Sequence, residues 1–180
     1  QALRLAIHDR KLNLAYQPIM DIESGKPVAF EALARWHDSE LGEISPVQFI
    51  PIAEQTGLIG VLMVQILEKA SATAITWPRS IQLSFNMSAQ EIVRTSTGLR
   101  TLSILNDNKL PGHRLDIEIT ETAFLENFKA ASATIENLKM AGVSIALDDF
   151  GTGHASLGYV GKIDLDKLKI DRSFITKIES

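Results

Sequence analysis

The chain has 180 residues, 45% of them hydrophobic, with a net charge of −4 and no cysteine. That size fits one domain with an ordinary core, and the acidic balance argues against a surface for nucleic-acid polymers, which is basic where it exists. The lack of cysteine excludes disulfide frameworks, thiolate zinc sites and cysteine nucleophiles; no apolar run approaches the ~20 residues of a membrane span, so no membrane contact is expected of this segment.

Leu3, Ala6 and Ile7 have helical spacing over Ala2–Asp9, which reads as the end of a connecting helix in a chain cut from a longer protein. Leu12, Leu14 and Tyr16 alternate with Asn13, Ala15 and Gln17, a strand ending at Pro18. A Gly- and Pro-bearing turn at Glu23–Pro27 leads to a second strand, Val28–Arg35. Ser45 caps a helix with Pro46 at its first position, and Gly57 ends it. Leu62, Ile66, Leu67 and Ala70 mark a longer helix that stops near Pro78. After the strand Ile81–Asn86, Ser88 caps a short helix through Val93, and Leu99, Leu102 and Leu105 give the apolar face of another, closed by Pro111-Gly112. The strand Arg114–Thr120 follows. Phe128, Ala131, Ile135 and Leu138 then form an amphipathic helix with Gly142 just past its end. Val143–Asp149 and Lys167–Asp171 are the last strands.

Strands alternating with helices indicate a parallel α/β sheet. Successive side chains of a strand point to opposite faces, and the parity is informative. Ile81, Leu83 and Phe85 oppose Gln82, Ser84 and Asn86; Leu115, Ile117 and Ile119 oppose Asp116, Glu118 and Thr120; Val143, Ile145 and Leu147 oppose Ser144, Ala146 and Asp148. One face is always bulky and aliphatic, the other small or polar. About thirty residues separate Asn86 from Glu118, and Glu118 from Asp148, the length of one βα unit. A TIM-like barrel would gather these polar groups at its C-terminal rim. Six strands are expected here, where closure takes about eight.

Glu31, Asn86, Glu118 and Asp148 are hard oxygen donors suited to Mg²⁺, Mn²⁺ or Ca²⁺. Asp149, directly after Asp148, offers a carboxylate to a second metal, the two-ion arrangement of in-line phosphate displacement. Lys169, on the same strand face as Lys167 and Asp171, can orient a water or balance phosphoryl charge, and Arg35 shares the parity of Glu31 and can fork onto a phosphate. Any one of these residues alone reads as a solvated charge, a helix cap or a structural ion pair; the repeated parity makes the set a candidate site. Gly151-Thr152-Gly153 lacks the third glycine of a dinucleotide fingerprint, and His37-Asp38 has no further histidines to support a metal site.

These residues stand in motifs that resemble the EAL domain, the bacterial family that hydrolyses cyclic di-GMP to linear pGpG. The signature Glu31-Ala32-Leu33 follows Tyr16-Gln17-Pro18-Ile19 and precedes Phe49–Glu54, Asn86-Met87-Ser88, Glu118-Ile119-Thr120-Glu121, Leu147–Gly153 and Leu168-Lys169-Ile170-Asp171, in order along the whole chain. The resemblance implies a modified (β/α)₈ barrel whose first strand is antiparallel. It implies Glu31, Asn86, Glu118, Asp148 and Asp149 as metal ligands, Lys169, Glu31 and Asp149 as the catalytic set, and Mg²⁺ or Mn²⁺ as cofactor with Ca²⁺ inhibitory. Gln17, Leu33, Arg35 and Asp171 would contact substrate, and Glu121 would anchor the loop Asp149–Ser156, which couples the site to homodimerisation.

His154-Ala155-Ser156 replaces the family's Tyr-Ser-Ser, and the Glu and Gln of the last two βα units do not occur before Ser180, so the domain is expected to be truncated. The expected setting is cytoplasmic, as a segment of a multidomain signalling protein that can itself be membrane-anchored. Two functions stay open on sequence: a metal-dependent phosphodiesterase, and an inactive domain of the same type that binds cyclic di-GMP or a protein partner.

Overall fold

A computed structural model describes residues 1–150 and 163–171. Its sheet contains β1 (Asn13–Met20), β2 (Pro27–Asp38), β3 (Gly42–Ile44), β4 (Gln82–Asn86), β5 (Leu115–Thr120), β6 (Ser144–Phe150) and β7 (Lys167–Ile170). The helices are α1 (Ala2–His8), α2 (Pro46–Gln55), α3 (Ile59–Ala74), α4 (Ala89–Ile92), α5 (Thr95–Asp107) and α6 (Thr122–Met140). The strand order is β1-β2-β4-β5-β6-β7, with β3 pairing off β2. β1 runs antiparallel to β2, and each later neighbour along that path is parallel. The result is a TIM-like arrangement that is not closed among the described residues.

The aliphatic faces read from parity are the outer ones. Leu83, Phe85, Leu115, Ile117, Ile119, Ile145 and Leu147 are buried. So are Leu62, Ile66, Leu67 and Ala70 of α3, Ile104 and Leu105 of α5, and Ala131, Ile135 and Leu138 of α6, which belong to the same core cluster. Each buried Leu or Ile contributes about 1.5–3 kcal/mol. The core is thus the layer between sheet and helices, and the inner face of the sheet is left to polar groups.

Three expectations need correction. β1 continues through Pro18 to Met20: among the described residues it is an edge strand, where a missing N–H on the unpaired side removes no ladder bond. β2 runs on to Asp38 and folds back as the unforeseen β3; Asp38 Oδ1 accepts the N–H groups of Glu40 and Leu41 at 3.0 and 3.2 Å, and Gly42 takes φ +73°. In α5, Leu99 is 72% exposed rather than inward. The buried side there carries Thr97, Gly98 and Thr101, small enough for α6 to approach: a Cβ on Gly98 would lie 3.7 Å from Thr134 and Asn137.

The end of the sheet away from the candidate site is tied by polar anchors. The buried Arg114 donates from Nε and Nη2 to the Ile81 carbonyl (3.1 and 2.8 Å) and from Nη2 to that of Ala74 at 2.8 Å, which satisfies the last turn of α3. Asp166, just before β7, accepts the Ile145 N–H at 2.8 Å and the Lys139 ammonium at 3.0 Å. Burial alone would raise its carboxyl; those two donors hold it below the usual range. Gly112 meets the start of the loop after α6 so closely that a Cβ would stand 2.0 Å from the Ala141 carbonyl oxygen. Because backbone cannot move aside as a side chain can, Gly112→Ala is expected to cost about 3 kcal/mol, measured by denaturant unfolding.

Candidate active site

Inward acids of β2, β5 and β6 meet on one lysine of β7. The Lys169 ammonium lies 2.6 Å from Glu118 Oε2, 3.5 Å from Glu31 Oε2 and 3.6 Å from Asp148 Oδ2. Asn86 completes the ring, its Nδ2 donating to Glu31 Oε1 at 2.7 Å. Contacts climb one inward step from strand to strand. Ser84 is level with Asp116 in the ladder yet donates to Glu118, two residues further on, at 2.5 Å. Such a stagger is what strand tilt in a barrel produces.

Burial is graded. Glu118 is 1% exposed, whereas the side chains of Glu31 and Asp148 are 18% and 22% exposed at the rim. Burial pushes the Glu118 carboxyl above its usual range, against the pull of Lys169 and Ser84. Burial also works against the Lys169 ammonium, yet Glu118, Glu31 and Asp148 together hold its pKa above the ordinary value. Three carboxylates therefore share one positive charge, and the surplus favours uptake of a proton or a further cation. Asp149 adds to that surplus. Burial and the nearby Asp148 and Asp171 raise its carboxyl, and Glu121 contributes in the same direction. It sits at φ +54°, a left-handed conformation that aspartate tolerates better than most residues, and its N–H donates to Asp148 Oδ1 at 3.0 Å.

The structure thus brings Glu31, Asn86, Glu118, Asp148 and Lys169 into direct contact, with Asp149 and Asp171 in electrostatic range. Gln17 is exposed and lies opposite Glu31 in the β1–β2 ladder. Leu33, opposite Ala15, and Arg35, opposite Asn13, continue the same face of β2 away from the cluster. The Arg35 guanidinium donates to the carbonyl of Ala34 at 2.9 Å. Glu121 is buried at the start of α6, but most of the loop it was expected to anchor, from Gly151 to Ser156, lies outside the described residues. No group of three or more His, Asp or Glu side chains in ready metal-binding geometry occurs among the described residues; the carboxylates converge on the lysine instead.

Two contributors escaped the sequence reading. Ser84, buried on the inner face, orients Glu118, and its parity with Asn86 was the available signal. Glu54 of α2, which ends the Phe49–Glu54 motif but was given no role there, accepts from Ser88 Oγ at 2.6 Å and fixes the turn just after Asn86.

The family model described as the EAL domain matches residues 1–180. The chain belongs to the EAL domain family. This EAL domain is 35% identical over 182 residues to the cyclic di-GMP phosphodiesterase NbdA of Pseudomonas aeruginosa, covering 99% of the chain and 23% of that protein. It is 36% identical over 180 residues to the probable cyclic di-GMP phosphodiesterase PdeB of Escherichia coli, covering 98% and 35%. Among solved structures, the phosphodiesterase PaMucR in complex with c-di-GMP superposes with a TM-score of 0.90 at 33% identity, covering 98% of this chain and 73% of that one. The chain therefore spans about a quarter to a third of the length of these curated relatives. EAL phosphodiesterases are in general metal-dependent.

Proposed function

We propose that this EAL domain hydrolyses cyclic di-GMP to linear pGpG. The observation that carries the reading is the Lys169 ammonium set among Glu31, Glu118 and Asp148, a cation at the focus of acids from separate strands. The excess of negative charge there fits divalent ions, and the oxygen donors fit Mg²⁺ or Mn²⁺. Glu31, Asn86, Glu118, Asp148 and Asp149 would hold one or two such ions, with Ca²⁺ occupying the site without supporting turnover. When bound, the ions supply Lewis acidity that activates water and neutralises phosphoryl oxygens.

The chain's own residues do the rest. Lys169 positions the attacking water and Asp171 lies beside it. Ser84 keeps Glu118 turned toward the lysine. Gln17 and Leu33 line the approach to Glu31, and Arg35 contacts a ligand phosphate. The new P–O bond forms in line with departure of the 3′ oxygen, which leaves with a proton. The reading carries with it a homodimer coupled through the loop Asp149–Ser156, with Glu121 as its anchor, and a cytoplasmic setting where the dinucleotide is met. No helix among the described residues is long and apolar enough to cross a membrane.

The test uses the natural protein that carries this chain, incubated with cyclic di-GMP and Mg²⁺ or Mn²⁺. Chromatography is expected to show linear pGpG, abolished by chelator. Ligand bound in calorimetry with no product under either metal would replace the hydrolase reading with that of a receptor.

A further inference from the structure

One step below the site lies a second ion pair of the same build. Asp116 and Lys167 precede Glu118 and Lys169 by two residues on β5 and β7, so they share the inner face. Lys167 Nζ lies 2.6 Å from Asp116 Oδ2 and 3.0 Å from Gln82 Oε1. The Gln82 amide is itself held, its Nε2 donating to the His113 carbonyl at 3.0 Å. β5 and β7 are not neighbours. β6 runs between them, and its inward Ser144 and Ala146 are small enough for both carboxylates to reach across. Asp116 is 3% exposed, and its Oδ1 finds no hydrogen-bond partner among the described residues, which leaves Lys167 to balance its charge.

The ladder to β6 is irregular beside Lys169. β7 pairs with β6 at Ala146↔Lys167 and Leu147↔Leu168, then shifts register before Phe150↔Ile170. The extra residue lies on β6, where Asp149 takes φ +54°, so Lys169 has no ladder partner of its own and side-chain contacts add to what holds it. We propose that Asp116 and Lys167 are positioning residues for the reaction: they lock β7 to β5 one rung below and hold the Lys169 ammonium where Glu31, Glu118 and Asp148 meet. Neither touches a reacting atom. The kinetic arm of the test rests on the hydrolase reading; the crystallographic arm does not.

In the natural protein carrying this chain, Lys167→Met removes the charge and keeps the stem, and Asp116→Asn keeps the shape. Each is expected to lower kcat about 10- to 100-fold with KM little changed, as for a misplacement of about 1 Å at the reacting group. The double variant leaves no unpaired buried carboxylate, so its thermal stability returns while kcat stays low. Lys167→Arg retains charge and reach and keeps most of the activity. Crystal structures of the double variant are expected to show Lys169 drawn away from Glu118 by about 1 Å or more. Recovery of kcat together with stability in the double variant, or an unmoved Lys169–Glu118 contact, overturns the proposal. If the wild-type protein yields no pGpG, the hydrolase reading fails, and the position of Lys169 in the variants still decides this one.

Discussion

Replacing Lys169 by methionine is expected to lower turnover of cyclic di-GMP by about 10²–10³-fold, the range for removing one preorganised charge from a reacting centre. The same change alters folding in a way that separates it from simple loss of contact. Lys169 lies 2.6 Å from Glu118, which is almost wholly buried. The carboxyl of Glu118 is already raised by burial, and the ammonium is a main force pulling it down. Without Lys169 the rise widens. A carboxyl with a folded pKa above its unfolded value binds more protons in the native state, so folding gains as pH falls through the folded pKa and carries its full penalty above it. In chelator, Lys169→Met is therefore expected to be less stable than wild type at neutral pH, by about 3 kcal/mol at most. The gap is expected to close on mild acidification. Thermal unfolding across that pH range measures it; a gap independent of pH would show that Glu118 does not feel the lysine.

Glu31→Ala is the second large effect, and it has the opposite profile. Its side chain is 18% exposed at the rim and its contacts are polar, to Asn86 and Lys169. Truncation there empties no apolar core, so unfolding midpoints are expected to stay close to wild type. Loss of a carboxylate that would bind a divalent ion removes several kcal/mol of transition-state stabilisation, or about 10³-fold in rate. Hydrolysis is expected to fall below detection by chromatography. Unchanged turnover in this variant would defeat the mechanism, whatever the state of Lys169.

Much of this was legible before any coordinates, because strand parity is a local property. Whether Glu118 and Asp148 lie on the inner face follows from their place among Ile117, Ile119 and Leu147, and the structure agrees at each strand. The antiparallel first strand came through the resemblance, since no feature of Asn13–Met20 alone sets its direction. What parity cannot show is which inner residues touch. Asp116 reaches Lys167 and Glu118 reaches Lys169 across an intervening strand, and both depend on the tilt of the sheet and on the small Ser144 and Ala146. The leucine spacing of α5 misled for a related reason. Its buried side is chosen by how closely α6 can approach Gly98, and Leu99 turns outward.

The two borders of the described sheet, β1 and β7, flank the reacting groups without pairing to each other. The Lys169 side chain is 32% exposed, and a charge in contact with solvent feels its acids through a higher effective dielectric than a buried one. An element seated between the two borders would strip that hydration and lower the local dielectric, strengthening each attraction in the cluster several-fold. Hydration of that one ammonium thus acts as a gain control on the electrostatics of the same side chains.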